Sequence, residues 1–181
     1  MIPARLAAHR NEDSGLRRIR PIVRGVGLLT PLAVRIGAVS WMPRLLPQIT
    51  WIDLRLQSCS RGRLSLLSIA GLPNLLLTVP GRRSGVPRTT PLLCVPIQDA
   101  WLIAGSSFGG PTTPAWVHNL RAARTARIRF RGRTVTVSAE ELVGTDRALM
   151  WTRMCRAWPN YLLYERRTRR LIPVIRLTPI D

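Results

Sequence analysis

"TVPGRRSGVPRTTPLL", residues 78–93, places two arginines and a serine between two glycines, with β-branched and apolar residues on both sides. Gly81 and Gly85 suit a tight turn, and the flanking residues are typical of strands. The stretch therefore predicts a β-hairpin whose tip carries Arg82 and Arg83. Arginine side chains beside the backbone N–H groups of a turn can bind an anion such as a phosphate, although charged hairpin tips also serve solubility alone.

Further short strands are predicted on both sides of this turn. The hairpin arms are "NLLLTV" (74–79) and "TTPLLCVPI" (89–97), and "AWLIAGSS" (100–107) follows after a short connection. "ARIRFRGRTVTVSAEEL" (126–142) is typical of a second hairpin. "IPVIRLTPI" (172–180) is typical of a last strand, which begins near Pro173. Short connections favour antiparallel pairing. The pattern predicts a mainly β, α+β fold, namely a small closed or half-open barrel.

Helices are predicted around this barrel and before it. They cover 111–124, a segment capped by Thr145 that runs to about residue 158, and a short segment that restarts after Pro159. An apolar stripe over 44–58 predicts an amphipathic helix. The expected organisation is a basic, poorly ordered segment (1–24), a helical extension (25–64) and a barrel domain (65–181).

The charge of the chain is unusual for a globular protein. Its 181 residues have a net charge of +19, and all 28 basic residues are arginine. This excess points to anionic partners, either nucleic acid, anionic lipid or an acidic cofactor, although a solvated arginine-rich surface is an equal alternative. Three cysteines, which form no CxxC pair, and two isolated histidines predict reduced thiols and no metal site.

The most apolar window, residues 25–42, is interrupted by Pro31 and Arg35 and is too short to predict a transmembrane helix. A cytoplasmic protein is expected. The cationic flanks of this window and the amphipathic stripe of 44–58 support a separate hypothesis, peripheral contact with an anionic membrane at its inner face.

Several motifs, in order and spacing, resemble the deazaflavin-dependent nitroreductase family over about residues 65–180. They are "LLLTVPGRRSGVPRTTPLL" (75–93), "GGPTTPAWVHNL" (109–120) and "WPNYLLYERRTRRLIPV" (158–174). The resemblance implies an FMN-binding-like split β-barrel that binds coenzyme F420, a deazaflavin with a phosphodiester and a poly-glutamate tail. It also implies hydride transfer from the reduced cofactor to a quinone, a nitroaromatic or another electron-poor small molecule.

The resemblance further implies roles for individual residues. Arg82, Arg83 and Ser84 would bind the phosphate and the acidic tail. The deazaflavin would be lined by a larger set, which comprises Arg88, Thr89, Thr90, Pro91, Leu92 and Leu93 on one side and Ala104, Gly105, Ser106, Ser107, Ala115, Trp116, Val117, His118 and Asn119 on the other. Tyr161 and Tyr164 would shape the substrate pocket, with Tyr161 also near the cofactor. Tyr161, Tyr164 and Ser106 are the candidate catalytic groups.

Other interpretations remain open at this stage. Ser107 and Phe108 stand where a Lys-Gly pair is common in the family, so one cationic contact is missing. The i, i+3 spacing of Tyr161 and Tyr164 equally describes a core stripe. The alternative functions are a non-catalytic deazaflavin or flavin carrier, with FMN as the alternative cofactor, and a basic nucleic-acid-binding protein. Nucleic-acid binding is not expected, because no basic strand interleaved with aromatic residues or recognition helix is evident.

Overall fold

The computed structural model describes residues 72–180, together with four helical positions nearer the N-terminus, Gln48, Trp51, Ile52 and Arg55. These four positions fall within the helix predicted over 44–58. The remainder of that helix, the basic segment 1–24 and the apolar window 25–42 lie outside the described residues.

Six antiparallel strands form a closed barrel in the order β1-β2-β3-β6-β5-β4. The strands are β1 (Asn74–Pro80), β2 (Pro87–Ile97), β3 (Ala100–Ala104), β4 (Thr125–Phe130), β5 (Arg133–Glu141) and β6 (Val174–Pro179). Two hairpins, β1–β2 and β4–β5, pair with each other along β1 and β4. The last strand closes the sheet between β3 and β5. The predicted mainly β barrel is therefore confirmed.

The register of the barrel follows from alternation of apolar and polar residues. Leu75, Leu77 and Val79 point into the barrel and are almost fully buried, as is Ile128, which pairs with Leu77 across β1 and β4. A shift of one residue would turn these side chains outward and lose about 1.5–3 kcal/mol for each. The apolar pattern thus determines which residues of each strand face solvent.

Three helices lie around the barrel: α1 (Ala115–Ala123), α2 (Gly144–Ala157) and α3 (Asn160–Arg167). The helix α1 contributes Trp116, Val117 and Leu120 to the same core cluster as the inward-facing strand residues. The helices α2 and α3 build a second cluster on the outward face of β3, around Leu102. No helix in the described part of the chain is long and apolar enough to cross a membrane.

Two details of the predicted helices are wrong. Thr145 does not cap α2, which begins one residue earlier at Gly144 and has Val143 at its N-cap without a side-chain hydrogen bond. The helix predicted over 111–124 is shorter, because Pro114 occupies the N-cap of α1 in an extended conformation. A 3-10 turn at Ser107–Gly109 precedes it.

Candidate functional site

The tip of the β1–β2 hairpin is a closed turn. The N–H of Gly85 donates to the carbonyl of Gly81 at 2.7 Å, and the N–H of Gly81 donates to the carbonyl of Val86 at 2.9 Å. Gly85 has a φ of +69°, which favours glycine. A Cβ on Gly81 would lie 2.8 Å from the Ser84 Oγ. The turn therefore requires glycine at both ends of its charged segment, at Gly81 for lack of space and at Gly85 for its backbone conformation.

The turn is attached to α1 through Asn119. The backbone N–H of Arg82 donates to Asn119 Oδ1 at 3.2 Å, and its guanidinium Nη1 donates to the same oxygen at 3.5 Å. Asn119 is only 7% exposed, so this bond gives a buried polar side chain its partner. The side chains of Arg82 and Arg83 nevertheless remain exposed. The positive charge of Arg82 is therefore held beside α1, about one helical turn from the start of the helix.

The electrostatics of this region favour an anion. The first turn of α1 contains no acidic residue, so the partial positive charge of its N-terminus is not neutralised locally. Asn119 lies about one helical turn from that N-terminus and positions Arg82 next to it. Helix N-terminal N–H groups and arginine side chains both bind phosphate.

The loop between β3 and α1 packs against this helix. The N–H of Gly105 donates to the carbonyl of Pro173 at 3.0 Å, and a Cβ on Gly105 would lie 2.8 Å from Val117 Cγ2. Ser107 and Phe108 adopt φ values of +47° and +54°, in the left-handed region that such residues rarely occupy. The tight packing of the loop helps to retain this backbone conformation.

Arg170 stabilises the loop through three backbone carbonyls. Its Nη2 donates to Gly105 and Ser106 at 2.9 and 2.8 Å, and its Nε donates to Gly110 at 3.1 Å. Partial burial lowers the pKa of the guanidinium. Arg170 belongs to the "RTRR" segment of the third motif, but sequence reasoning assigned it no role.

Tyr161 and Tyr164 lie beneath the same loop, in the second core cluster. They are 3% and 2% exposed, and the Tyr164 ring is 5.5 Å from that of Phe108. Burial raises the pKa of both phenols; for Tyr164, hydrogen bonds with Trp158 and Asn160 partly offset this rise. Both hydroxyls are therefore protonated at neutral pH.

The cofactor-lining residues predicted on β2 divide between two faces of the strand. Thr90 and Leu92 pair with the inward-facing Leu77 and Leu75, whereas Thr89 and its alternate neighbours point outward. Strand geometry gives this alternation, and a ligand on one face can contact only every second side chain. Of the remaining predicted residues, the structure brings Arg82, the 104–107 loop and α1 together.

The two thiols in the described part of the chain, Cys94 and Cys155, do not add a reactive group. Burial raises the pKa of Cys94, and burial together with the Glu165 charge raises that of Cys155 to about 11. Both therefore stay protonated near neutral pH; Cys59 lies outside the described residues. Within residues 72–180, no three His, Cys, Asp or Glu side chains form a group that could hold a metal ion.

A closed antiparallel barrel with a cationic hairpin tip, a glycine-containing loop and a helix N-terminus defines a cofactor-binding split β-barrel. Comparison with known proteins supports the same class. The family model for F420H(2)-dependent quinone reductase matches residues 55–179. The chain is 37% identical to an F420H(2)-dependent quinone reductase of Mycobacterium tuberculosis (strain H37Rv), over 59% of this chain and 73% of the relative.

Two solved structures extend the comparison to the fold. A structure of an F420-H2 dependent reductase is 32% identical, with a TM-score of 0.55, and the match covers 58% of this chain and 93% of that one. Another solved structure, described as a domain-swapped dimer, is 26% identical, with a TM-score of 0.57. The match covers 70% of this chain and 96% of that one. The chain belongs to the F420H(2)-dependent quinone reductase family. It is an oxidoreductase whose cofactor is coenzyme F420.

Replacing Arg170 by methionine should lower the free energy of unfolding by about 2 kcal/mol, because three loop carbonyls lose a charged donor. Urea unfolding at neutral pH measures the change. Arg169→Met at the exposed neighbouring position is the matched control and should change stability by less than about 0.5 kcal/mol. Equal effects of the two substitutions would contradict a specific role for Arg170.

Stability should fall as pH rises above about 10, and Tyr161→Phe should reduce this fall. The phenol ionises near pH 10 in the unfolded chain but at higher pH when folded, so above pH 10 the unfolded state binds fewer protons. The Tyr161 contribution has a maximal slope of about 1.4 kcal/mol per pH unit. Urea unfolding of both proteins from about pH 9 to about pH 11 tests this. If the free energy of unfolding fell equally with pH in both proteins, the Tyr161 phenol would ionise in the folded protein as it does in the unfolded chain, which would contradict the prediction.

Proposed function

We propose that this chain transfers a hydride from reduced F420 to a quinone, and that nitroaromatics and similar electron-poor rings are further acceptors. Arg82, Arg83 and Ser84 would bind the phosphodiester at the hairpin tip. The loop 104–107 and α1 would contact the deazaflavin. The barrel domain over 65–181 would hold the whole cofactor site, with residues 1–64 as an N-terminal extension.

One observation supports this proposal most strongly: α1 contacts both the hairpin tip and the loop after β3. Asn119 accepts hydrogen bonds from Arg82, and Val117, two residues earlier, packs directly against Gly105. A ligand at this junction can have its anionic part at the tip and its rings against the outer surface of the loop and the helix. This arrangement matches a cofactor with a charged tail and a planar head.

The residues at the hairpin tip fit F420 in charge. Two exposed guanidinium groups and an exposed serine hydroxyl are available at the tip. Ser106 in the loop is small and only partly buried, so a planar group can approach the backbone closely there. Bound in its reduced form, F420 supplies the hydride, whereas the protein supplies binding, orientation and exclusion of water.

In this arrangement, Tyr161 and Tyr164 lie in the core behind the loop and support it. The Tyr161 ring lies 5.4 Å from the tilted ring of Trp151 and meets the Tyr164 ring edge to face at 6.1 Å, and the Tyr164 ring contacts the loop residue Phe108. We therefore propose that both rings fix the loop against the barrel. Ser106 is only partly buried and lies in the loop itself, so its hydroxyl is the better placed proton donor to a bound acceptor.

The proposed reaction is tested by mixing the protein with reduced F420 and a soluble quinone without oxygen. Recovery of the absorbance of the oxidised deazaflavin measures turnover, and a nitroaromatic in a parallel assay tests the wider acceptor range. We expect saturable turnover with the quinone. In Arg82→Gln/Arg83→Gln, the KM for F420 should rise about tenfold with kcat nearly unchanged, because uniform binding is lost.

An exposed arginine pair on α2 provides the matched control. Arg153→Gln/Arg156→Gln removes the same charge and should leave both kinetic constants unchanged. F420 binding without oxidation by any acceptor would overturn the proposed reaction and favour a cofactor carrier.

A further inference from the structure

Arg170 makes contacts that join two ends of the loop between β3 and α1. Its Nη2 donates to the carbonyls of Gly105 and Ser106, at the start of this loop, at 2.9 and 2.8 Å. Its Nε donates to the carbonyl of Gly110, which follows the 3-10 turn, at 3.1 Å. One planar guanidinium thus spans the segment 105–110 and fixes the direction of three carbonyl groups.

The direction of these carbonyls also decides where the neighbouring N–H groups point. In a trans peptide bond, the carbonyl of one residue and the N–H of the next point in opposite directions. The described part of the chain contains no cis peptide bond. Because the carbonyls of Gly105 and Ser106 face Arg170, the N–H groups of Ser106 and Ser107 face away from it. Arg170 therefore orients two consecutive donors that it does not itself contact.

These two N–H groups are available to a ligand. Within residues 72–180, neither of them donates a hydrogen bond to a protein acceptor. By contrast, the N–H groups of Gly109 and Gly110 both donate within the turn at 2.9 Å. Ser106 and Ser107 are only half-buried, so a ligand can reach this part of the loop. Adjacent backbone donors bind an oxygen that carries or gains negative charge.

The backbone between the two ends of the loop is strained. Ser107 and Phe108 have φ values of +47° and +54°, which cost free energy in residues other than glycine. At Gly109, a Cβ would lie 2.7 Å from the carbonyl oxygen of Tyr164, so the loop is also pressed against α3. Strained backbone persists where the surrounding contacts over-determine it, and it is frequent at functional sites. The hydrogen bonds of Arg170 are polar contacts of this kind.

The guanidinium of Arg170 is not held by an ion pair. Within the described residues, no carboxylate lies within ion-pair distance of it, and its Nη1 is buried without a hydrogen-bond partner. A partly buried charge without a carboxylate is a costly way to stabilise a fold. An apolar side chain could fill the same space, but it could not orient three carbonyls. The contacts therefore indicate that this arginine serves the geometry of the loop.

We propose that Arg170 is a positioning residue for hydride transfer, which holds the loop so that the N–H groups of Ser106 and Ser107 face the bound reactants. This inference rests on the proposed function, which places the rings of F420 against the outer surface of the loop. In this role Arg170 acts through the loop backbone and contacts neither the cofactor nor the acceptor. Misplacement of reacting groups by about 1 Å can slow a reaction about 100-fold. A loosened loop should therefore affect turnover more than binding.

Steady-state kinetics of Arg170→Met with reduced F420 and a soluble quinone test the inference. We expect kcat to fall about 30-fold and the KM for F420 to rise no more than about threefold, because the hairpin tip still binds the anionic part. Arg170→Lys keeps the charge but lacks the planar fork that reaches both ends of the loop, so its kcat should fall about fivefold. The lysine variant also decides the question if Arg170→Met does not fold.

Hydrogen exchange in the cofactor-free protein gives a readout that does not depend on turnover. In Arg170→Met, the amides of Gly109 and Gly110 should exchange about tenfold faster, because the loop opens more often and their hydrogen bonds break. The amides of β5 should exchange as they do in the unaltered protein.

Two control variants separate positioning from a general loss of stability. Arg169→Met removes an exposed charge from the neighbouring position and should leave kcat, KM and loop exchange unchanged. Val137→Ala removes fully buried methyl groups inside the barrel, on β5, and lowers the stability of the domain. Below its unfolding transition, this core variant should keep kcat within about twofold of the unaltered protein.

Several outcomes would overturn the inference and leave the proposed function intact. They are a kcat in Arg170→Met close to that of the unaltered protein, a loss of kcat/KM that lies wholly in KM, an equal fall of kcat in Val137→Ala, and unchanged exchange of the loop amides. An unaltered protein that oxidises reduced F420 with no acceptor would overturn the proposed function. The role in hydride transfer would then fall with it, whatever the exchange experiment shows.

Discussion

The hydrogen bonds that Arg82 makes to the buried side chain of Asn119 are the constraint on which the site depends. A hairpin tip that extends beyond a barrel is free to move unless another element holds it. Here a helix from a distant part of the chain does so, and its buried amide obtains its partner from the tip. The same contact holds the exposed guanidinium of Arg82 about one helical turn from the N-terminus of α1, a position that favours an anion.

The loop on the other side of α1 depends on a second set of polar contacts. Arg170 donates to three backbone carbonyls of the loop, and the ring of Tyr164 packs against that of the loop residue Phe108. The loop backbone is strained at Ser107 and Phe108 and is retained by this packing. The exposed arginines thus lie at the hairpin tip, and a partly buried arginine, Arg170, supports the loop.

Sequence patterns predicted the parts of this fold that depend on neighbours in the chain. The two hairpins follow from glycine-containing turns between β-branched runs, and the start of the last strand follows from Pro173. Closure of the barrel through β1 and β4 joins residues about fifty positions apart, and no local pattern reports such a pairing. The role of Arg170 was missed for the same reason, because its acceptors are backbone carbonyls sixty or more residues away. The i, i+3 spacing of Tyr161 and Tyr164 predicted that the two side chains share one face of a helix. Only the packing of α3 against the barrel shows that this face is buried.

The central claim is that the tip, the loop and α1 together form a site for F420, and direct titration tests it best. Purified protein is titrated with F420 at physiological salt while cofactor fluorescence is followed, with FMN in a parallel titration. The account predicts saturable binding of F420 and much weaker binding of FMN, whose shorter anionic part leaves the cationic surface largely unused. Absence of F420 binding, or equal binding of FMN, would contradict it.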